Sequence, residues 1–119
     1  MIELLADFVV ALVALAHIGF LVLEMYLWEK PLGLKIFRHT AEQAATTRVL
    51  AANQGLYNGF LAAGLFWGLI PSVHANDVKI FFLCCVIIAG VYGGISVSRR
   101  IMAVQAAPAV LGLLLVLLS

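Results

Sequence analysis

Four apolar runs, interrupted by three short polar segments, dictate almost everything this chain can become. They cover about residues 2–28, 49–70, 79–96 and 101–118 of the 119. Each is close to the roughly 20 residues a helix needs to cross the hydrocarbon core of a bilayer. With 65% hydrophobic and 11% charged residues, the chain has too little polar surface for a soluble domain of its size. Backbone polar groups in hydrocarbon must be satisfied within their own segment, which leaves helices as the form of such spans. The expected fold is therefore all-α: an integral membrane four-helix bundle, with residues 1–119 as a single four-span domain.

The first run does not read as a secretory signal. No Lys or Arg precedes it, and it is too long for the apolar region of one. Pro31 and Gly33 end it. Beyond them, Leu34, Phe37, Ala41, Ala44 and Ala45 recur at helical spacing. That spacing predicts a short interfacial helix in the first loop, with a plain solvated loop as the alternative. Pro71 closes the second run, and Ser98-Arg99-Arg100 forms a basic turn before the fourth.

Charge sets the expected orientation. Six of the seven Lys and Arg residues (Lys30, Lys35, Arg38, Arg48, Arg99 and Arg100) follow the first or third run, and only Lys79 does not. The positive-inside rule makes those two loops cytoplasmic and puts both termini on the extracytoplasmic side. The net charge of +1 offers no case for nucleic acid as a partner. Cys84 and Cys85 are adjacent in an apolar run, where a disulfide between neighbours is disfavoured and small apolar filling is the simpler role.

Polar residues inside apolar runs are costly and need a partner helix, a ligand or water. At 100° per residue, Glu3, Val10, His17, Glu24 and Trp28 share one stripe of the first helix, and that stripe should face the bundle. In the second run, Asn53, Gln54, Tyr57 and Asn58 occupy one arc of about 140°. Tyr92 and Ser96 in the third run, and Gln105 and Pro108 in the fourth, lie in the same cytoplasm-proximal half. The four runs are thus expected to bring polar groups to one level. Pro108 should free a carbonyl near Val104 for the same cluster.

Glu24, about 6 Å in from Trp28 along the helix, is the leading candidate to take and release a proton. The alternative is a carboxylate that snorkels toward Lys30 or Arg99. His17, about 16 Å in, suits either a structural imidazole or a proton acceptor. The amide-rich face of the second run serves either as interhelical glue or as a shelf for a small polar or aromatic ligand. Gly55 with Gly59, Gly64 with Gly68, and Gly90 with Gly94 form GxxxG pairs. Such pairs allow close helix packing and nominate Gly55/Gly59 or Gly90/Gly94 as contacts of a homo-oligomer. No metal site is expected. His17 and Glu24 are about 10 Å apart along the helix axis, and His39 with Glu42 offers only two ligands. No nucleophile elbow, phosphate loop or zincin motif occurs, so no cofactor is implied and catalysis is not the leading reading.

Taken together, His17, Glu24 and Trp28, Phe37, the block Asn53-Gln54-Gly55-Leu56-Tyr57-Asn58-Gly59-Phe60-Leu61-Ala62, and Gln105-Ala106-Ala107-Pro108-Ala109 resemble the small bacterial integral membrane proteins catalogued as domain of unknown function 1304. The likeness runs nearly the whole chain, and the second-run block is its most specific part. It implies four spans in a bacterial cytoplasmic membrane and carries no activity with it. The small multidrug-resistance exporters, also four-span, fit less well, because their loop charges are balanced and their glutamate sits mid-span. Small-molecule transport or permeation, with proton coupling through Glu24, is the leading expectation. A membrane-embedded binding protein or enzyme for a lipid-like or quinone-like molecule and a structural partner subunit are the alternatives.

Overall fold

A computed structural model describes residues 1–119 and contains helices and turns without a strand. The helices are α1 (Ile2–Met25), α2 (Pro31–Phe37), α3 (Ala41–Leu69), α4 (Ala75–Ser96) and α5 (Arg99–Leu118). Three of them, α1, α4 and α5, are long and apolar enough to cross a membrane. α3 is the longest at 29 residues but is not among them. Its first half carries Glu42, Gln43, Thr46, Thr47, Arg48, Asn53, Gln54 and Asn58, which dilutes the apolar stretch that follows.

The chain forms two compact units, Met1–Leu15 with Leu61–Ser119, and Ala16–Phe60. α1 and α3 each contribute to both. In the first unit the core is built mainly from small and β-branched side chains, with two leucines: Ala6, Val9, Val10, Val13 and Ala14 of α1 meet Leu65 of α3, Leu83 and Val86 of α4, and Ala109 and Val116 of α5. The larger apolar side chains face outward, among them Leu4, Phe8, Trp67 and Leu114, each more than half exposed. This inverts the pattern of a water-soluble protein, where bulky apolar groups are driven inside. It suits helices in lipid, which associate by close packing of small residues.

Close approach is explicit between α4 and α5. A Cβ on Gly90 would lie 2.7 Å from the backbone nitrogen of Ala106. The facing stretch of α5, Met102–Ala106, is a π-helical turn, with the Ala107 N–H reaching the Met102 carbonyl. Pro108 explains the turn: it cannot donate to the Val104 carbonyl, and its ring crowds that carbonyl. The expected disturbance one turn before Pro108 is therefore present as a wider helical turn seated on Gly90. Cys84 and Cys85 are free thiols, both partly buried.

In the second unit, the chain leaves α1 earlier than the apolar run suggests. The N–H groups of Tyr26 and Leu27 both reach the Val22 carbonyl, and Lys30 closes a turn onto Leu27. Trp28 therefore lies beyond the helix rather than on its stripe. Pro31 then opens α2 at a position that needs no donor, and Arg38, at φ 55°, ends it in the left-handed region.

The interfacial helix expected from Leu34 to Ala45 is thus shorter. Ala41, Ala44 and Ala45 belong to α3. The reason is a reciprocal cap: the Thr40 hydroxyl accepts from the Gln43 N–H, and the Gln43 side chain accepts from the Thr40 N–H, both at 3.0 Å. This T-x-x-Q capping box starts a helix at Ala41 and disconnects it from α2.

Candidate functional site

The buried stripe of α1 is the one that heptad spacing selects. Val10, Ala14, His17 and Glu24 are all buried, with Leu21 half-buried beside them, while Glu3 at the helix start is exposed. Within the second unit, α3 lies against this stripe through Gly55 and Gly59. A Cβ on Gly55 would come within 2.7 Å of the Met25 side chain and 3.2 Å of the Leu21 carbonyl, and one on Gly59 within 2.7 Å of Leu21. Two missing side chains let α3 approach α1 closely enough for short polar groups to meet.

At that approach, two amides of α3 hold Glu24, which is only 4% exposed. Gln54 Nε2 donates to one carboxyl oxygen at 2.7 Å, and Asn58 Nδ2 donates to the other at 2.5 Å. Gln54 and Asn58 are four residues apart and share one face of α3. Asn58 is buried and Gln54 is exposed at its outer side. The carboxyl is therefore clamped by amides and has no cationic partner within ion-pair distance.

The other residues singled out in the sequence take different places. Asn53 and Tyr57 are exposed, because one residue back along α3 turns them about 100° from the clamp. The Tyr57 ring instead stands 6.0 Å from that of Phe60. His17 is 1% exposed and meets Phe20 edge-on at 5.0 Å. Trp28 belongs to an aromatic group with Phe37 and His39 at 4.7 and 4.4 Å. Its indole N–H donates to the Thr47 hydroxyl at 3.1 Å, which ties the turn after α1 to the start of α3. Tyr92 is exposed and Gln105 half-buried in the π turn, and both belong to the first unit. Of the four runs expected to meet, α1 and α3 supply the clamp.

Gly55 with Gly59 and Gly90 with Gly94 all meet side chains or backbone of the same chain. No group of three or more His, Cys, Asp or Glu side chains is arranged to hold a metal ion.

A second polar pair went unnoticed in the sequence. Lys79 Nζ stands 2.8 Å from Asp7 Oδ1, and Lys79 is 7% exposed. Lys79 is therefore part of α4 and not a loop charge. Its stem passes over Gly68, where a Cβ would lie 2.6 Å from the Lys79 Cγ. The signal was present: Asp7 interrupts an apolar run, and an ionisable residue in such a run calls for a named partner.

The class defined by these features is an all-helical protein with three helices apolar enough to cross a membrane and an amide-clamped carboxyl buried between α1 and α3. The chain belongs to the protein family of unknown function DUF1304, whose family model matches residues 11–117. It is 26% identical over 105 residues to the uncharacterized protein YpaA of Lactococcus lactis subsp. lactis (strain IL1403), covering 87% of this chain and 88% of that one. No solved structure matches it.

Proposed function

We propose that this protein is a four-span carrier in the bacterial cytoplasmic membrane that moves a small molecule with proton coupling through Glu24. In this reading α3 crosses the bilayer as the fourth span, both termini are extracytoplasmic, and the basic segments after α1 and α4 are cytoplasmic. The single observation that carries it is the identity of the groups around Glu24. An amide offers a donor at nitrogen and an acceptor at oxygen. Gln54 and Asn58 can donate to a carboxylate, and either can turn its oxygen toward the same carboxyl once it is protonated. Both protonation states are then hydrogen-bonded, whereas an arginine or lysine partner would hold Glu24 ionised. A carboxyl that must bind and release a proton in every cycle needs this tolerance.

Asn53 and Tyr57, beside the clamp on α3, supply the polar contacts a substrate would use on approach. Assembly between copies through the glycine pairs is not part of this reading, since those pairs are filled from within the chain. A structural role for the amides is the competing account, and it differs in what Glu24→Gln does. The test uses proteoliposomes under an imposed pH gradient, screened with small organic cations, anions and neutral solutes. Wild-type protein is expected to accumulate at least one solute in a gradient-dependent manner. Glu24→Gln, which keeps the shape and the hydrogen-bonding capacity, is expected to insert and fold normally yet lose the gradient dependence. A Glu24→Gln protein that retains gradient-driven accumulation would overturn the proposal.

A further inference from the structure

A second site lies in the same unit, where α1 ends. Met25, Tyr26, Trp28, Glu29, Lys30 and Arg48 line an open cleft of about 320 Å³. Two of the six are cations and one is an anion. Glu29 Oε1 stands 3.5 Å from a single nitrogen of Arg48, which leaves the rest of the guanidinium and the whole of Lys30 for another acceptor. The cleft thus carries one uncompensated positive charge with two donor groups at its rim. A planar guanidinium beside an ammonium is well matched to a phosphodiester.

The surroundings say where that phosphodiester comes from. Ile18 and Val22 on α1 and Tyr26 in the turn that follows it are exposed and succeed one another at four-residue spacing, an apolar track that ends at the cleft. On α3, Val49 and Leu50 directly follow Arg48 and are 76% and 72% exposed. Arg48 is also the last charged residue of α3: before it runs about 10 Å of polar helix from Ala41, after it only apolar groups, amides and the Tyr57 phenol. Tyr26 and Trp28 are the aromatic types that settle at headgroup depth. Cations at the rim, aromatic rings beside them, a bare apolar track on α1 and two exposed apolar side chains on α3 reproduce the layout of a phospholipid, with phosphate above and acyl chains below. Basic pockets at helix ends in membrane proteins serve this purpose.

We infer that this cleft binds the headgroup phosphate of an anionic glycerophospholipid, of the phosphatidylglycerol type, with Arg48 and Lys30 on the phosphate and the acyl chains along Ile18–Val22 and Val49–Leu50. The net charge of the cleft selects the class. A zwitterionic phosphatidylethanolamine would need a carboxylate for its ammonium, and Glu29 is already turned to Arg48. The site shares no residue with the Glu24 clamp; it rests on the four-span reading, in which α3 lies in the bilayer, but not on transport or on proton coupling.

Native mass spectrometry of the whole protein in neutral detergent tests it, with dioleoyl phosphatidylglycerol, dioleoyl phosphatidylethanolamine and inorganic phosphate as probes. Phosphatidylglycerol is expected to be retained at least tenfold more than phosphatidylethanolamine. Lys30→Gln with Arg48→Gln should lower that retention about tenfold, with the lipid-free melting temperature unchanged. Glu29→Gln, which frees Arg48, should raise it severalfold and serves as the check should the double variant fail to fold. Equal retention of the two lipids would overturn the inference, as would phosphatidylglycerol retention that ignores all these substitutions. Displacement of the lipid by millimolar inorganic phosphate would make the cleft a phosphate site and overturn it as well.

Discussion

Two carboxyl sites in this small protein, one buried and one half-exposed, are built on opposite principles. Asp7 faces a full cation, Lys79, while Glu24 faces only amides. The first pair is a fixed charge arrangement, and its two members are unequal: the Lys79 side chain is 9% exposed and that of Asp7 45%. Removing the carboxylate strands a buried ammonium, whereas removing the ammonium leaves a half-exposed carboxylate with access to other partners. Asp7→Asn is therefore expected to destabilise by about 1–3 kcal/mol, below the figure for breaking a fully buried pair because Asp7 is half-exposed. Lys79→Met should cost clearly less, and the double variant should recover part of the Asp7→Asn loss. A double-mutant cycle of detergent-solubilised unfolding checks this, and equal single costs would mean the pair is exposed in practice. In the sequence, the burial of Glu24 was legible from its place on the heptad stripe with Val10 and His17. The Asp7–Lys79 pair was not, because its members are 72 residues apart and Lys79 sits next to a loop.

At the scale of elements, the boundaries are set by local chemistry that overrides the apolar runs. The T-x-x-Q box at Thr40 and Gln43 starts α3 well before its apolar part. Thr40→Ala should destabilise the first turn of α3 by about 1 kcal/mol, read as faster amide hydrogen exchange confined to Ala41–Ala45. Unchanged exchange there would show that the Trp28–Thr47 hydrogen bond holds the turn without the cap. The α4–α5 contact depends on Gly90. A Cβ there meets backbone, which cannot rotate away as a side chain can. Gly90→Ala is expected to cost about 1–3 kcal/mol in unfolding measurements, and a neutral outcome would mean the π turn shifts freely. Pro108 announced the disturbance in α5 from sequence. That Gly90 is the residue seated against it emerged only when α4 and α5 were packed.

For the whole molecule, the number of crossings is the property with the largest consequence. α1, α4 and α5 are apolar enough to cross, and the status of α3 decides whether the count is odd or even. An even count puts the two termini on one side of the membrane, and an odd count separates them. Reporter fusions at each end distinguish these cases. Both termini are expected to report an extracytoplasmic location, and opposite locations would show that α3 does not cross. α3 is the helix that carries the amides, and the polarity that removes it from the apolar class is the polarity that clamps Glu24. The feature that keeps α3 out of the apolar class is therefore the feature the proposed function needs.

Some of this follows from the chain alone. The apolar runs, the breaks at Pro31 and Pro71, and the seven-residue spacing of Val10, His17 and Glu24 dictate helices and name the face that is buried, because helix periodicity is local and needs no partner. Which polar residues meet is not local. Asn53 and Gln54 are neighbours in sequence and share the same amide chemistry, yet only Gln54 reaches Glu24, since a 100° rotation separates them and the seating of α3 on Gly55 and Gly59 decides which one faces α1. The pairing of Asp7 with Lys79 likewise depends on Gly68 leaving room for a lysine stem. Secondary structure is settled within a few turns of chain, whereas the sites depend on side-chain volumes on facing helices, and that information exists only once the helices are packed.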